Sequence, residues 1–170
     1  YGGNDALSAI RDRLPVTTRY LAYGHKVSFG LISRAALDSR RVPGTAHAAA
    51  YDIVRYDQQG CYSPHVFFVE NGGRISPEEF SQYLAHELSA FEKKYPRRPL
   101  SVAEAGDVAA WRHQEEIRSS AGGDRLVLGD AAGAWSVVYS SDAEDLTPSG
   151  LNRTIKVVGV DALADVAPRI

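Results

Sequence analysis

Cys61 is the single cysteine of the chain, and it sits in the string Tyr56-Asp57-Gln58-Gln59-Gly60-Cys61-Tyr62-Ser63-Pro64-His65, where a polar, glycine-containing loop runs into an apolar strand pattern. A thiol so placed is a candidate nucleophile. Gly60 permits close approach of a backbone or substrate, and backbone N–H groups at a loop-to-strand junction serve as oxyanion donors. The alternative is a small buried hydrophobe, the usual fate of a lone cysteine. An ordinary thiol has a pKa of about 8.5, so attack at neutral pH calls for local positive potential. The amides after Gly60 and the ammonium of Lys26 are candidate sources.

Around this string the chain reads as alternating helices and strands. Asn4 is placed to cap a short helix with Leu7, Ile10 and Leu14 on one face and Pro15 beyond it. Residues 17–23 and 26–32 read as strands, and residues 46–56 as a helix leading to the cysteine loop. The strand after the cysteine spans residues 66–69. Ser76-Pro77-Glu78-Glu79 is a capping box with proline at the first helical position. It opens a helix whose Phe80, Leu84, Leu88 and Phe91 form a core-facing stripe that ends before Pro96. Ser101-Val102-Ala103-Glu104 repeats the box and opens a helix with Ala105, Val108, Trp111 and Ile117 as its apolar face. Strands follow at 125–128, 135–139 and 154–160, and residues 161–166 start a final helix. This alternation predicts a layered α/β sheet.

Composition narrows the function classes. With 170 residues the chain fits one domain, and 44% hydrophobic and 24% charged residues describe a globular protein. A net charge of −2 provides no basic field for nucleic acid. One cysteine excludes an intrachain disulfide and a cysteine-rich zinc site, and suits a reducing cytoplasm. No apolar run approaches the length of a membrane span, and no signal peptide is visible. The chain begins at Tyr1 and has no methionine, so it is expected to be an excised piece of a longer protein.

Three segments carry a family resemblance. Residues 57–65 resemble the active-site segment of the acyl-CoA (fatty-acid) reductases of bacterial bioluminescence, a branch of the aldehyde dehydrogenase superfamily. Tyr23-Gly24-His25-Lys26-Val27-Ser28-Phe29-Gly30 resembles that family's Tyr-Gly-x-Lys-x-Ser-Phe strand, and Leu146-Thr147-Pro148-Ser149-Gly150-Leu151-Asn152-Arg153-Thr154 its Leu-x-Pro-Ser-x-Leu-Asn-Arg-Thr segment. The resemblance implies an aldehyde dehydrogenase-like catalytic domain, layered α/β/α on an open sheet. Residues 1–25 would be the closing part of a dinucleotide-binding domain and residues 26–170 the catalytic domain. Implied chemistry is attack of Cys61 on a fatty acyl thioester, release of coenzyme A, and reduction of the acyl-cysteine to aldehyde with NADPH. One oxyanion donor would be the Cys61 N–H, and a second, an asparagine, would lie upstream. Implied partners are acyl-CoA or an acyl-protein thioester, an acyl-protein synthetase, and a second copy of the chain.

The wider superfamily carries a glutamate in Glu-Leu-Gly-Gly-Lys, which activates water. Registering that motif on residues 23–26 puts Ala22 at the glutamate position, 39 residues before Cys61. Alanine accepts no proton, which would spare an acyl-cysteine from general-base hydrolysis. Gly2 and Gly3, before a helix, resemble the superfamily's contact with the cofactor pyrophosphate and equally suit an ordinary turn. His25 and His65 flank the motifs, with proton transfer or a structural place both open. His47, His86 and His113 show no ligand spacing, so no metal site is expected. Pro148, Ser149 and Asn152 fall where the superfamily places a nicotinamide-ribose contact, but without its glutamate. Two other readings stay open: an acylating dehydrogenase for short acyl-CoA or acyl phosphate, and an interaction domain that keeps the fold without turnover.

Overall fold

A computed structural model describes residues 3–22, 27–122, 124–143 and 147–169. Five strands form one sheet: β1 (Ser28–Ile32), β2 (Pro64–Glu70), β3 (Arg125–Gly129), β4 (Ser136–Ser140) and β5 (Thr154–Val160). Their order is β1-β2-β5-β4-β3, all parallel except the antiparallel edge pair β3 and β4. β5 is buried along its whole length, as a parallel strand covered on both faces must be.

The helices are α1 (Asn4–Arg11), α2 (Val42–Val54), α3 (Pro77–Lys94) and α4 (Val102–Ser120). α2 and α3 cover one face. Ala46, Ala49, Ala50 and Ile53 of α2 pack with Phe80, Leu84, Leu88 and Phe91 of α3 against Phe67, Val137, Ile155 and Val157. Both capping boxes form as expected: Ser76 and Ser101 accept from the N–H groups of Glu79 and Glu104, and those carboxylates return to the cap N–H groups. On the other face Val66, Phe68, Val158 and Val160 meet Val166, and Lys156 points to Glu115 of α4. The expected layered α/β/α architecture is therefore present.

Several local expectations change. Gly3 rather than Asn4 occupies the cap position of α1, and the helix stops at Arg11. Residues 17–22 form no strand, since Tyr20 turns back to donate its hydroxyl to Leu7 O at 2.9 Å. Residues 23–26, including His25 and Lys26, lie outside the described residues. On α4 the buried positions are Val108, Trp111 and Glu115, while Ala105 and Ile117 face outward. Helical spacing from Trp111 reaches residue 115, and the sheet presents cations there. The expected last helix is two short 3-10 turns, at Leu163–Asp165 and Ala167–Arg169.

Candidate active site

Cys61 stands at the tip of a tight turn between α2 and β2. Ser63 N–H donates to Gly60 O at 2.9 Å, leaving Cys61 and Tyr62 as the two central residues, both exposed. The thiol is free and open to solvent, and the Cys61 N–H has no acceptor among the described residues. Its carbonyl is held from β1, where Ser28 Oγ donates to Cys61 O at 2.8 Å. A side chain at Gly60 would crowd the turn: a Cβ there would lie 3.2 Å from Ser63 Oγ and 3.3 Å from the Tyr62 ring.

What holds this turn is a clamp between two runs of left-handed backbone. Tyr56, Asp57 and Gln58 have φ of 54°, 49° and 64°, and Leu151, Asn152 and Arg153 have 58°, 52° and 69°. Each such non-glycine residue costs about 1 kcal/mol or more, so the surroundings must impose the shape. Gln58, fully buried, does much of this. Its Nε2 donates to Pro64 O and Thr154 O at 2.7 Å each, with Ser149 Oγ at 3.2 Å, while its Oε1 accepts from Thr154 N–H at 3.0 Å. Gln59 Nε2 donates to Asn152 Oδ1 at 2.9 Å.

Arg153 locks the outer side. It is 3% exposed and donates from Nε to Asp57 Oδ1 at 2.8 Å and from Nη1 to Glu92 Oε2 at 2.7 Å and Tyr95 O at 2.9 Å. Arg97 adds bonds to Gly133 O and Asn152 O, and burial draws its pKa below the ordinary guanidinium value. His65, half-buried on β2, has its Nδ1 3.2 Å from Ser149 Oγ. Burial lowers its pKa, opposed by a hydrogen bond at Ser149, so the imidazole is neutral at neutral pH.

Two of the three segments singled out in the sequence, 57–65 and 147–154, thus meet, and the third reaches the turn through Ser28. The Asp, both Gln, the Asn and the Arg of these motifs serve as clamp members. Spacing gave no sign of this, because the partners lie more than ninety residues apart. Ser149 and Asn152 spend their side-chain bonds on Gln58, Gln59, Arg98 and His65. Gly2 lies outside the described residues. Gly3 caps the eight-residue α1 with extended backbone, φ −62° and ψ 154°. His47, without ligand spacing in the sequence, has Nδ1 2.7 Å from Glu87 Oε2 across α2 and α3.

The clamped turn is carried on an α/β/α sheet of strand order β1-β2-β5-β4-β3, the architecture of the aldehyde dehydrogenase fold. Solved aldehyde dehydrogenases share the fold. One is a Thermus thermophilus 1-pyrroline-5-carboxylate dehydrogenase variant, with TM-score 0.63 and 12% identity over 99% of this chain and 34% of that one. Another is the methylmalonate-semialdehyde dehydrogenase of Oceanimonas doudoroffii, with TM-score 0.56 and 11% identity over 86% and 32%. A third is the gamma-glutamyl-gamma-aminobutyraldehyde dehydrogenase of Burkholderia cenocepacia, with TM-score 0.54 and 11% identity over 84% and 30%. The chain thus spans about a third of the length of these neighbours. No curated protein sequence matches it. The acyl-CoA reductase (LuxC) family matches over residues 1–170, and the chain belongs to that family. Among the described residues no helix is long and apolar enough to cross a membrane.

Proposed function

We propose that this chain carries the acyl-transfer site of a long-chain acyl-CoA reductase, with Cys61 as the acyl acceptor and residues 26–170 as the catalytic unit. The observation that carries this reading is the exposed Cys61 thiol on a turn whose backbone is fixed from both sides. Fixing the turn removes orientational freedom that the reaction would otherwise lose at its barrier. The thiol proton passes to solvent, and Sγ attacks the carbonyl carbon of a fatty acyl thioester. As the carbon–sulfur bond forms, charge develops on the carbonyl oxygen, and the unpartnered Cys61 N–H is the donor available to it. The bond to the coenzyme A sulfur then breaks, and coenzyme A leaves as a thiolate that takes a proton from solvent. The product is an acyl-cysteine.

NADPH, implied by the family resemblance, supplies hydride when bound. The chain carries no Gly-x-Gly-x-x-Gly run to seat a dinucleotide pyrophosphate, so the chemistry assigned to it ends at the acyl-cysteine. Ala22 fits this assignment, because an alanine in place of a general base leaves water unactivated.

The test is incubation of the intact protein with tetradecanoyl-CoA, followed by peptide mass spectrometry, beside Cys61→Ser. A tetradecanoyl adduct on the Cys61 peptide, absent from the variant, is expected. An adduct on another residue, with aldehyde formation unimpaired in Cys61→Ser, would overturn the reading.

A further inference from the structure

Beside Cys61 lies a group of side chains that neither the clamp nor the acyl transfer uses. Arg55 places its guanidinium 5.5 Å from the ring centroid of Tyr56 and 5.9 Å from those of Tyr51 and Tyr62. The Tyr56 and Tyr62 rings meet edge to face at 6.4 Å. All three rings stay in solvent, 48%, 65% and 51% exposed for Tyr51, Tyr56 and Tyr62. Arg55, the residue after α2, makes no ion pair with any described carboxylate, including Asp52 in the last turn of α2, although other arginines do. The left-handed conformation at Tyr56 sends that ring out of the α2 helical path and over Arg55.

An exposed cation held by three open aromatic faces and lacking a carboxylate has the chemistry of a recognition site for a flat, anionic ligand. Guanidinium groups pair with phosphate oxygens through a planar fork, and heteroaromatic bases stack on tyrosine. An acyl chain alone would gain nothing from the charge. The platform also sits at the right reach. Tyr62 follows Cys61, so the 3.8 Å Cα spacing, the length of a tyrosine side chain and the 5.9 Å contact keep the guanidinium within about 14 Å of the Cys61 Cα. An extended phosphopantetheine arm covers that distance.

We infer that Arg55, with Tyr51, Tyr56 and Tyr62, is the subsite for the adenine nucleotide end of the coenzyme A thioester whose acyl group Cys61 receives. The inference rests on the acyl-transfer reading. It adds that the nucleotide end of the donor is held by the same segment that carries the nucleophile, from α2 through the cysteine turn.

The test uses the intact protein, Arg55→Gln and Arg55→Lys, with two acyl donors: tetradecanoyl-CoA and the tetradecanoyl thioester of N-acetylcysteamine, which lacks the nucleotide. Cys61 acylation is followed by mass spectrometry at subsaturating donor. Arg55→Gln is expected to slow acylation from the CoA thioester about tenfold, the low end for losing a charge-assisted hydrogen bond at an exposed site. Acylation from the truncated donor stays unchanged, and Arg55→Lys falls between. In parallel, free coenzyme A is titrated by calorimetry, with a Kd about tenfold weaker expected for Arg55→Gln. Equal slowing with both donors, or the same coenzyme A affinity in both proteins, overturns the subsite. Wild-type protein that binds coenzyme A in an Arg55-dependent way but takes no acyl group on Cys61 would overturn the acyl-transfer reading while upholding the platform.

Discussion

Gln58→Leu measures how much of the fold depends on the clamp. Leucine fills a similar volume but offers nothing to Pro64 O, Thr154 O and Thr154 N–H, the three backbone groups that the Gln58 amide engages. All three are enclosed where Gln58 itself is 0% exposed. Thr154 N–H keeps Leu151 O as an acceptor at 3.1 Å, so the two carbonyls are left orphaned at about 1–3 kcal/mol each, and the change should cost about 2–6 kcal/mol. Domains hold only about 5–15 kcal/mol in total. At about 2–4 °C per kcal/mol for a chain of this size, the midpoint should fall by about 5–20 °C. Gln59→Leu is the internal control: Gln59 is exposed and makes one bond, to Asn152, so it should cost about 0.5–1 kcal/mol. Urea unfolding followed by the fluorescence of the buried Trp111 and Trp135 reads both. Gln58→Glu adds a sign. Facing two carbonyl oxygens, the new carboxyl has its folded-state pKa raised above the unfolded value of about 4.3, so stability relative to wild type is greatest below that value and falls as pH rises through the folded pKa. A loss below about 1 kcal/mol for Gln58→Leu, or one equal to that of Gln59→Leu, would refute the clamp argument.

Ala22→Glu should shorten the lifetime of acyl-Cys61 toward water by about 10²- to 10⁴-fold if it restores a general base; an unchanged lifetime in the folded variant removes Ala22 from that place. Glu70 accepts from the Arg34 N–H and guanidinium, and these bonds hold its pKa down at about 2. The stability it contributes is therefore present above the unfolded carboxylate value and lost as pH falls toward 2, so Glu70→Gln should flatten the acid limb of a stability profile in that window. Glu115→Leu removes a buried carboxylate that pairs with Lys156, Arg125 and Arg118 and should cost about 3–5 kcal/mol, whereas Lys156→Met leaves Glu115 with both arginines and should cost less; the reverse order in denaturant titration would contradict this. The purified 170-residue chain should form no aldehyde catalytically from tetradecanoyl-CoA and NADPH, because it holds no Gly-x-Gly-x-x-Gly run to seat a pyrophosphate; sustained turnover would place that site within it.

The parts of this architecture set by neighbours in sequence were legible. Both capping boxes and the Phe80, Leu84, Leu88, Phe91 stripe depend only on residues three or four apart, and they form as read. Strand positions followed from β-branched runs for the same reason. Residues 17–22 show where that logic fails, since their β-branched and aromatic side chains find no strand to pair with and Tyr20 bonds to α1 instead. On α4 the helical period was right, but Ile117 was preferred to Glu115 because nothing local announces that Lys156 and Arg125 wait across the fold. Cys61 stood out by its setting. The clamp around it did not, because Gln58 and Arg153 acquire meaning only through partners far along the chain. The available signal was that two distant segments each concentrate amide, carboxylate and guanidinium side chains beside strands that must be buried.

The position of β5 governs when the cysteine turn is set. It lies in the middle of the sheet, between β2 and β4, yet follows both in chain order. During synthesis the first four strands must therefore wait with an open seam at the centre, and the β2 side of its closure pairs residues as distant as Val66 and Lys156, which makes closure slow. Thr154, the first residue of β5, is also the anchor for Gln58. Closing the seam and setting the cysteine turn are thus one event. On the proposed acyl-transfer reading, an incompletely folded copy would lack the fixed turn and should take up acyl groups on Cys61 more slowly than the folded protein.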